Sequence, residues 1–194
     1  TLSVVLAEKG FKVYGVENDP EISKALHQGK AHFFESGLNH SLRKYLNKNL
    51  FIYEFIPADK ELDVFIISVG TPINKETKEP VIDYVVKAAE SVSRNLKDEQ
   101  LVVLRSTVPI GTTKEVILPI LEKSEKKFYL AFCPERTAEG VALRELNELP
   151  QIIGGVDEKS VEKATDIFRK ITPTIVVVPS LEAAEINKML DNCY

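Results

Sequence analysis

Two glutamates lie four positions apart in FCPERTAEG, residues 132–140. Glu135 follows a proline, and Arg136 lies between it and the second acid, Glu139. If this turn lines a cleft, one carboxylate can serve as a general base while the other accepts a hydrogen bond from a ligand. The alternative is a solvated acidic turn whose carboxylates pair with Arg136 or Arg144, which is the commoner state of an isolated example.

A cation and an amide occur at helical spacing near the end of the chain. Lys188 and Asn192 are four residues apart in SLEAAEINKMLDNCY, so a helix places both side chains on one face. An ammonium group beside a carboxamide can stabilise a developing oxyanion. The alternative is an ordinary solvated helix face, so this pair gains weight only from the other candidate residues.

Hydroxyl residues follow two apolar runs. Gly70 and Thr71 come after VFIISV, and Ser106 and Thr107 come after QLVVLR. Glycine lets a ligand approach the backbone closely, and the hydroxyl and backbone N–H groups can bind that ligand. Turn chemistry and helix capping are the alternative for either segment alone. Two such segments at equivalent strand ends favour a cofactor site.

An acid ends the first strand-like segment. Glu17 follows FKVYGV, where a carboxylate can accept hydrogen bonds from the adenosine ribose of a dinucleotide. The same charge repels a 2′-phosphate, so this position favours NAD over NADP. The alternative for Glu17 is a solvated strand-end acid or a helix cap. No G-x-G-x-x-G motif occurs in the chain to decide between them.

The elements that must position these residues alternate between strand-like and helix-like segments joined by short connections. This pattern predicts an α/β fold with a Rossmann-like, doubly wound, mainly parallel sheet. Ligands bind beyond the carboxyl ends of the strands in such sheets. Glu17, Thr71, Thr107 and Glu135 all fall just after predicted strands, so we expect them at a binding edge.

The chain begins with TLSVVLAEKG, which is typical of a helix already under way, whereas a fold of this kind begins with a strand. We therefore expect an incomplete NAD-binding domain over residues 1–179 with its first strand missing. Residues 180–194 are expected to begin a long central helix. The chain shows no internal repeat, low-complexity segment or flexible linker.

Local signals mark several helix ends. Gly10 is expected to stop the first helix. Asp19 and Asp157 are expected to cap the helices that follow them. Thr112 and Glu115 have the spacing of a capping box, in which each side chain would bond the other residue's backbone N–H.

Composition excludes several classes of function. The net charge is −4 with acids and bases interleaved, so neither nucleic acid nor an anionic membrane is expected as a partner. No apolar run approaches the roughly 20 residues that span a bilayer, and no signal peptide is expected. Cys133 and Cys193 are the only cysteines and lack metal-ligand spacing, so we expect a cytoplasmic protein with free thiols and no metal.

Taken together and in order, five segments resemble the UDP-glucose/GDP-mannose dehydrogenase family of nucleotide-sugar 6-dehydrogenases. Their order along the whole chain is far more specific than any one of them. A β-hydroxyacid or 6-phosphogluconate-type dehydrogenase would share the sheet but is not expected to contain CPERTAEG. The segments are FKVYGVEND, FIISVGTP, LVVLRSTVPIGTT, AFCPERTAEGVALRELNELPQIIGG and PSLEAAEINKMLDNCY.

The resemblance implies an NAD-dependent, four-electron oxidation of the C6 alcohol of a nucleotide sugar to a uronic acid. By matching position, Glu17 would bind the adenosine ribose, and Glu135 would be the base that assists hydrolysis of a thioester intermediate. Lys188 and Asn192 would stabilise the C6 oxyanion. The NAD site would be lined by Thr71, Ser106, Thr107 and Glu139. The substrate would contact Glu135, Arg136, Glu139, Lys188 and Asn192.

Arg136 is the only hint to the sugar. Relatives acting on UDP-glucose or GDP-mannose commonly have Phe at this position, whereas relatives acting on UDP-N-acetylhexosamines commonly have Arg. A guanidinium can meet an acetamido carbonyl or a carboxylate product. The resemblance therefore favours a UDP-N-acetylhexosamine such as UDP-N-acetylmannosamine, with UDP-glucose or GDP-mannose as the alternative.

The chain also departs from the family pattern. The family's nucleophilic cysteine lies in a glycine-rich motif beyond the central helix, and neither Cys133 nor Cys193 has such a context, so neither is given a catalytic role. We expect the 194-residue chain alone to be inactive. The alternative is a truncated, non-catalytic remnant. The segment from Ser180 resembles the one through which relatives dimerise, so the complete protein is expected to be a homodimer or higher oligomer.

Overall fold

The computed structural model describes residues 1–191. Two residues considered above, Asn192 and Cys193, lie outside the described residues. The chain forms two compact units, and each is described by itself. The first unit comprises residues 1–60, 137–149 and 170–173, and the second comprises residues 61–136, 150–169 and those from 174 onward.

Strands and helices alternate along most of the described residues, as the sequence predicts. The strands are β1 (Val13–Val16), β2 (Leu50–Tyr53), β3 (Val64–Ile67), β4 (Leu101–Leu104), β5 (Tyr129–Phe132), β6 (Gln151–Gly155) and β7 (Ile175–Val177). The helices are α1 (Leu2–Glu8), α2 (Pro20–His27), α3 (Leu38–Tyr45), α4 (Asp83–Asn95), α5 (Leu118–Glu122), α6 (Ala142–Glu148), α7 (Glu158–Phe168) and α8 (Leu181–Asp191). A π-helical turn, Thr113–Ile117, leads directly into α5.

The second unit contains a five-stranded sheet in the order β3-β4-β5-β6-β7. Neighbouring strands pair in parallel except β5 and β6, which are antiparallel. Helix α7 contacts β4 and β5, and α8 contacts β5 and β6. Every residue of β4 and β5 is buried, as expected for parallel strands covered on both faces. The predicted α/β fold with a mainly parallel sheet is confirmed.

The first unit contains a two-stranded parallel sheet of β1 and β2. The strands of the described residues thus form two separately hydrogen-bonded sheets. The core of this unit consists of Val4, Ala7, Leu38, Leu42 and Leu50.

Gly10 ends α1 as predicted. Its φ of 89° lies in the left-handed region, which a residue with a Cβ rarely adopts. The N–H of Gly10 donates to the carbonyl of Ala7 at 3.1 Å, and the N–H of Phe11 donates to that of Leu6 at 3.1 Å. These two bonds form a Schellman motif, which satisfies carbonyls that a helix end would otherwise leave unpaired.

Two predicted caps are confirmed and the capping box is wrong. The Asp19 carboxylate accepts hydrogen bonds from the N–H groups of Glu21 and Ile22, and the Asp157 carboxylate accepts one from Ser160. Thr112 makes no capping bond with its side chain. Its hydroxyl donates instead to the carbonyl of Pro109 at 2.7 Å. The N–H groups that a capping box would use donate to local carbonyls, that of Thr112 to Pro109 and that of Glu115 to Gly111.

None of the helices in residues 1–191 is both long and apolar enough to cross a lipid bilayer. Within the same residues, no group of three or more His, Cys, Asp or Glu side chains is arranged to hold a metal ion. Cys133 is a free, buried thiol.

Candidate functional site

The carboxyl ends of β3, β4 and β5 form one level edge of the five-stranded sheet. Ile67 pairs with Leu104, and Leu104 pairs with Phe132, so the three strands end in register. The loops that leave this edge begin with the segments that contain Thr71, Thr107 and Glu135. The structure therefore brings three of the predicted site segments to the edge where open α/β sheets bind ligands.

Glu135 is held by an arginine that the sequence analysis did not select. The Nε and Nη2 groups of Arg105 donate to the same carboxylate oxygen, Glu135 Oε2, at 3.2 and 3.0 Å. The other oxygen, Oε1, accepts a hydrogen bond from the backbone N–H of Arg136 at 2.9 Å. Only 2% of the Arg105 side chain is exposed, against 35% of the Glu135 side chain. The ion pair thus has a buried cation and a carboxylate that reaches the surface.

The Nη1 group of Arg105 is also engaged. It donates to the carbonyl of Cys133 at 2.9 Å and to Gln151 Oε1 at 2.7 Å. The guanidinium carbon of Arg105 lies 5.3 Å from the centre of the Phe168 ring. The sequence did contain a signal for Arg105, since this arginine ends the apolar run LVVLR. A charged residue that continues a buried strand needs a partner of opposite charge or hydrogen-bond acceptors.

The hydroxyl residues of the neighbouring loops differ in their roles. Ser106 is buried, and its hydroxyl donates to the carbonyl of Val69 at 2.7 Å, so it ties the loop after β3 to the loop after β4. Thr71 and Thr107 are half-buried. A Cβ added to Gly70 would meet no atom within 4 Å, so there is open space beside this backbone. These features fit a dinucleotide that approaches the loop after β3 closely.

Arg136 is half-buried, and its Nη1 donates to the carbonyl of Pro150 at 3.2 Å. Both residues belong to the second unit. The guanidinium therefore lies against the segment that enters β6.

Helix α8, which carries Lys188, is anchored by a buried carboxylate. Glu185 has no exposed surface. Its Oε1 accepts hydrogen bonds from the N–H and the hydroxyl of Thr113 at 2.8 and 2.5 Å, and its Oε2 accepts one from the N–H of Gly111 at 2.6 Å. Lys188 lies one helical turn further along α8 and is half-buried. Its predicted partner on this face, Asn192, lies outside the described residues.

A glycine lets α8 approach the sheet closely. A Cβ on Gly154 of β6 would lie 2.3 Å from the carbonyl oxygen of Ser180 and 3.0 Å from the Ala184 Cβ. The first distance is far below any real contact, so only glycine allows this packing. Gly154 thus lets α8 pack against β6, and Glu185 bonds α8 to the turn after β4.

Glu17 lies at the carboxyl end of β1 in the first unit, where it was predicted. Its N–H donates to the carbonyl of Tyr53 at 2.9 Å, and its Oε1 accepts a hydrogen bond from the Asp19 N–H at 2.9 Å. Asp19 rather than Glu17 caps α2. These bonds hold Glu17 at the end of β1, which is the position where a carboxylate can accept hydrogen bonds from ribose hydroxyls.

Glu139 also belongs to the first unit and is exposed. The loop that carries it is held by Glu35, a buried acid that the sequence analysis missed. The Glu35 carboxylate accepts hydrogen bonds from the N–H groups of Gly140 at 2.8 Å and Leu143 at 3.3 Å. Arg144, one of the partners considered for the acidic turn, lies 3.5 Å from Glu148 instead.

Cys133 has the environment of a structural thiol. It has no exposed surface, and burial raises the pKa of the Cys133 thiol to about 12, against the opposing influence of the Arg105 charge. A thiol that keeps its proton at neutral pH is a poor nucleophile. The geometry is consistent with giving this cysteine no catalytic role.

A cleft of about 630 Å³ lies at the opposite, amino-terminal ends of β3 and β4. Its lining includes the acids Asp63, Asp98 and Asp166 and the bases Lys97 and Lys163. Because open α/β sheets bind ligands at the carboxyl ends of their strands, we give this cleft no role in the candidate site.

Comparison with known proteins relates the chain to one family. The family described as the UDP-glucose/GDP-mannose dehydrogenase family, NAD binding domain, matches residues 1–172. UDP-N-acetyl-D-mannosamine dehydrogenase from Campylobacter jejuni is 30% identical over 203 residues, which cover 99% of this chain and 49% of that protein. An enzyme of the same name from Methanococcus maripaludis is 35% identical over 194 residues, which cover 98% of this chain and 44% of that protein.

Solved structures show the same similarity. UDP-N-acetyl-mannosamine dehydrogenase from Staphylococcus aureus has a TM-score of 0.90 and 28% identity, with coverage of 100% of this chain and 48% of that chain. GDP-mannose dehydrogenase from Pseudomonas aeruginosa has a TM-score of 0.89 and 26% identity, with coverage of 99% and 46%. The chain spans about half the length of the relatives that it matches.

Proposed function

The chain belongs to the UDP-glucose/GDP-mannose dehydrogenase family, and from this premise we propose that the whole protein is an NAD-dependent nucleotide-sugar 6-dehydrogenase. Residues 1–172 match the NAD-binding domain of the family. The reaction oxidises the C6 alcohol of a UDP-sugar to the uronic acid, a precursor for polysaccharide synthesis. One alcohol, one water and two NAD⁺ give one carboxylate, two NADH and three protons.

The observation that carries this proposal is the similarity to UDP-N-acetyl-D-mannosamine dehydrogenases along nearly the whole chain. It also favours a UDP-N-acetylhexosamine, such as UDP-N-acetylmannosamine, as the substrate. Arg136 supports the same choice, because it directly follows Glu135 and a guanidinium can meet the acetamido group of such a sugar.

NAD supplies the hydride acceptor when it is bound, and the chain's own residues bind and orient the reactants. In the proposal, Glu17 accepts hydrogen bonds from the adenosine ribose. The hydroxyl of Ser106 is already donated to Val69, so this residue shapes the NAD site or accepts a hydrogen bond from the ligand. The remaining residues proposed to line the NAD site are Thr71, Thr107 and Glu139.

The chemical step requires one negative charge to be stabilised and one water to be activated. Lys188 and Asn192 stabilise the charge that develops on the C6 oxygen, which an ammonium group does well at short range in a dry site. Glu135 accepts the hydrogen bond of the water that completes the oxidation, and Thr107 helps to hold this water. Arg136 and Glu139 contact the sugar nucleotide.

We also propose that the whole protein is a homodimer or higher oligomer. Three large apolar side chains on α8, Ile186, Met189 and Leu190, are 40%, 42% and 54% exposed. They recur at helical spacing and form a stripe that a second copy would cover. A cytoplasmic location suits the free thiol of Cys133.

The test is an NADH assay of the whole protein with a panel of nucleotide sugars. We expect a UDP-N-acetylhexosamine to be the best substrate and to give two NADH per sugar. A preference for UDP-glucose or GDP-mannose would correct the substrate but leave the dehydrogenase assignment intact. Absence of NADH with every sugar would favour a non-catalytic remnant. The 194-residue chain assayed alone is expected to show no steady NADH production.

A further inference from the structure

We propose that Arg105 is the positioning residue of Glu135, holding this carboxylate in the orientation that the water-dependent step requires. The proposal rests on the proposed function, since the step is the last one of that reaction. Arg105 itself neither gives nor takes a proton, and it acts only through Glu135.

The contacts to Glu135 fix the orientation of its carboxylate. Both Arg105 donors converge on Glu135 Oε2, and the Arg136 N–H holds Oε1. Three donors from two directions therefore define the plane of the carboxylate. A carboxylate fixed in this way keeps its rotamer, whereas an exposed glutamate on a loop samples several. The partly exposed side of the group is the side from which water or substrate can reach it.

The Arg105 side chain is itself held in one position by hydrogen bonds. Its Nη1 is held by the Cys133 carbonyl and by Gln151 Oε1. The Gln151 amide is itself fixed, because its Nε2 donates to the carbonyls of Pro134 and Ile152 at 3.2 and 2.8 Å. The support of Glu135 thus extends through a buried amide into β6, an element that belongs to the rigid sheet.

The stability of the fold does not by itself explain why an ion pair occupies this position. Removing an arginine from water is costly, and apolar side chains of similar volume often replace buried ion pairs without loss of stability. Precise placement of a functional group is a benefit that an apolar pair cannot supply. Functional groups held by such surrounding contacts keep the productive geometry.

A double-mutant cycle on the whole protein tests the proposal. The variants are Arg105→Met, Glu135→Gln and the two combined, with the best nucleotide sugar of the wild type as substrate. We expect each single variant to lose about a hundredfold in kcat with KM for the sugar changed less than threefold. We expect the double variant to be no slower than Glu135→Gln alone, because Arg105 has no other route to the reaction.

A second readout separates positioning from general damage. In the proposed reaction both hydride transfers precede the water-dependent step, so Arg105→Met should keep a rapid initial burst of NADH and lose only the steady rate. Damage to the fold would lower the burst and the steady rate together. Arg144→Met, which removes an exposed arginine with an ion pair of its own, is the matched control and should behave as the wild type.

Three results would contradict the proposal while the wild type still turns over. The first is a kcat loss in the double variant that equals the product of the two single losses. The second is an NADH burst of Arg105→Met that falls together with its steady rate. The third is full activity of Arg105→Met. If Arg105→Met does not fold, Arg105→Lys keeps the charge without the planar fork, and it should lose about tenfold in kcat while keeping the burst. Full activity of Arg105→Lys would show that the paired Nε and Nη2 donors of the guanidinium are not needed to position Glu135. Absence of NADH from the wild type would overturn the proposed function itself.

Discussion

Cys133 and Glu135 are two residues apart at the end of β5, yet their surroundings give them opposite chemistry. The thiol points into the unit, where burial raises the pKa of Cys133 to about 12. The Glu135 side chain is partly exposed and forms an ion pair with Arg105. Position after a strand identifies a candidate residue, but burial and partners decide what the residue can do.

At the residue scale, we predict that the native Cys133 thiol is unreactive. In a Cys193→Ser chain, Ellman's reagent at about pH 8 should detect no thiol under native conditions and one thiol per chain after unfolding in guanidinium. The reason is that this thiol is inaccessible and keeps its proton below about pH 12 in the native state, whereas an unperturbed cysteine titrates near 9.0.

A chain with both Cys133→Ala and Cys193→Ser serves as the blank for this experiment. Rapid reaction of one thiol per chain in the native state would show that Cys133 is accessible. That outcome would contradict the burial described for the end of β5.

At the scale of elements, a side chain of α8 accepts two of the backbone N–H bonds of the turn after β4. Thr112 and Glu115 have the capping-box spacing, but the N–H groups of Gly111 and Thr113 donate to Glu185. The N–H groups that a capping box would use, those of Thr112 and Glu115, donate instead to the carbonyls of Pro109 and Gly111. The same contact sets the position of α8 and therefore of Lys188.

We predict that Glu185→Gln destabilises the chain by about 2 kcal/mol, measured as the free energy of unfolding in a denaturant titration. An amide offers one oxygen instead of two, so its NH₂ group would face a buried N–H donor. The matched control is Glu182→Gln on the same helix, where the ion pair with Lys114 at 3.4 Å is partly exposed.

The control is expected to cost less than about 1 kcal/mol, as partly exposed ion pairs usually do. Equal losses for Glu182→Gln and Glu185→Gln would show that the buried carboxylate is not a specific anchor. A Glu185→Gln chain as stable as the wild type would show the same.

At the scale of the whole molecule, the described residues form two compact units. In the second unit, β4 and β5 are interior strands with a neighbour on each side and no exposed residue. In the first unit, β1 pairs only with β2 among residues 1–191, and most side chains of these strands are half-buried. A two-stranded sheet depends on covering helices for its stability.

We therefore predict that backbone amides of β4 and β5 exchange hydrogen at least about tenfold more slowly than those of β1 and β2. Exchange measured by mass spectrometry on the 194-residue chain, with rates divided by those of the unfolded peptides, gives the comparison. Equal protection of the two sheets, or greater protection of β1 and β2, would contradict the prediction.

Much of this protein was predictable from sequence alone, because the signals are local. Apolar runs of strand length and amphipathic helices alternate, so the mainly parallel α/β sheet follows from periodicity. Gly10, Asp19 and Asp157 act on backbone groups within four residues of themselves, and each does what its type predicts. The segments at the carboxyl ends of β3, β4 and β5 follow from the same alternation.

Only the tertiary structure decided which side chains hold the candidate site. Arg105 meets Glu135 thirty residues further along the chain, and Glu185 meets Thr113 across seventy-two. Such contacts depend on strand order and on how closely α8 packs on Gly154, which no local pattern encodes. Thr112 and Glu115 donate their N–H groups to nearby carbonyls, whereas the N–H groups of Gly111 and Thr113 reach Glu185 only because the fold brings α8 to this turn.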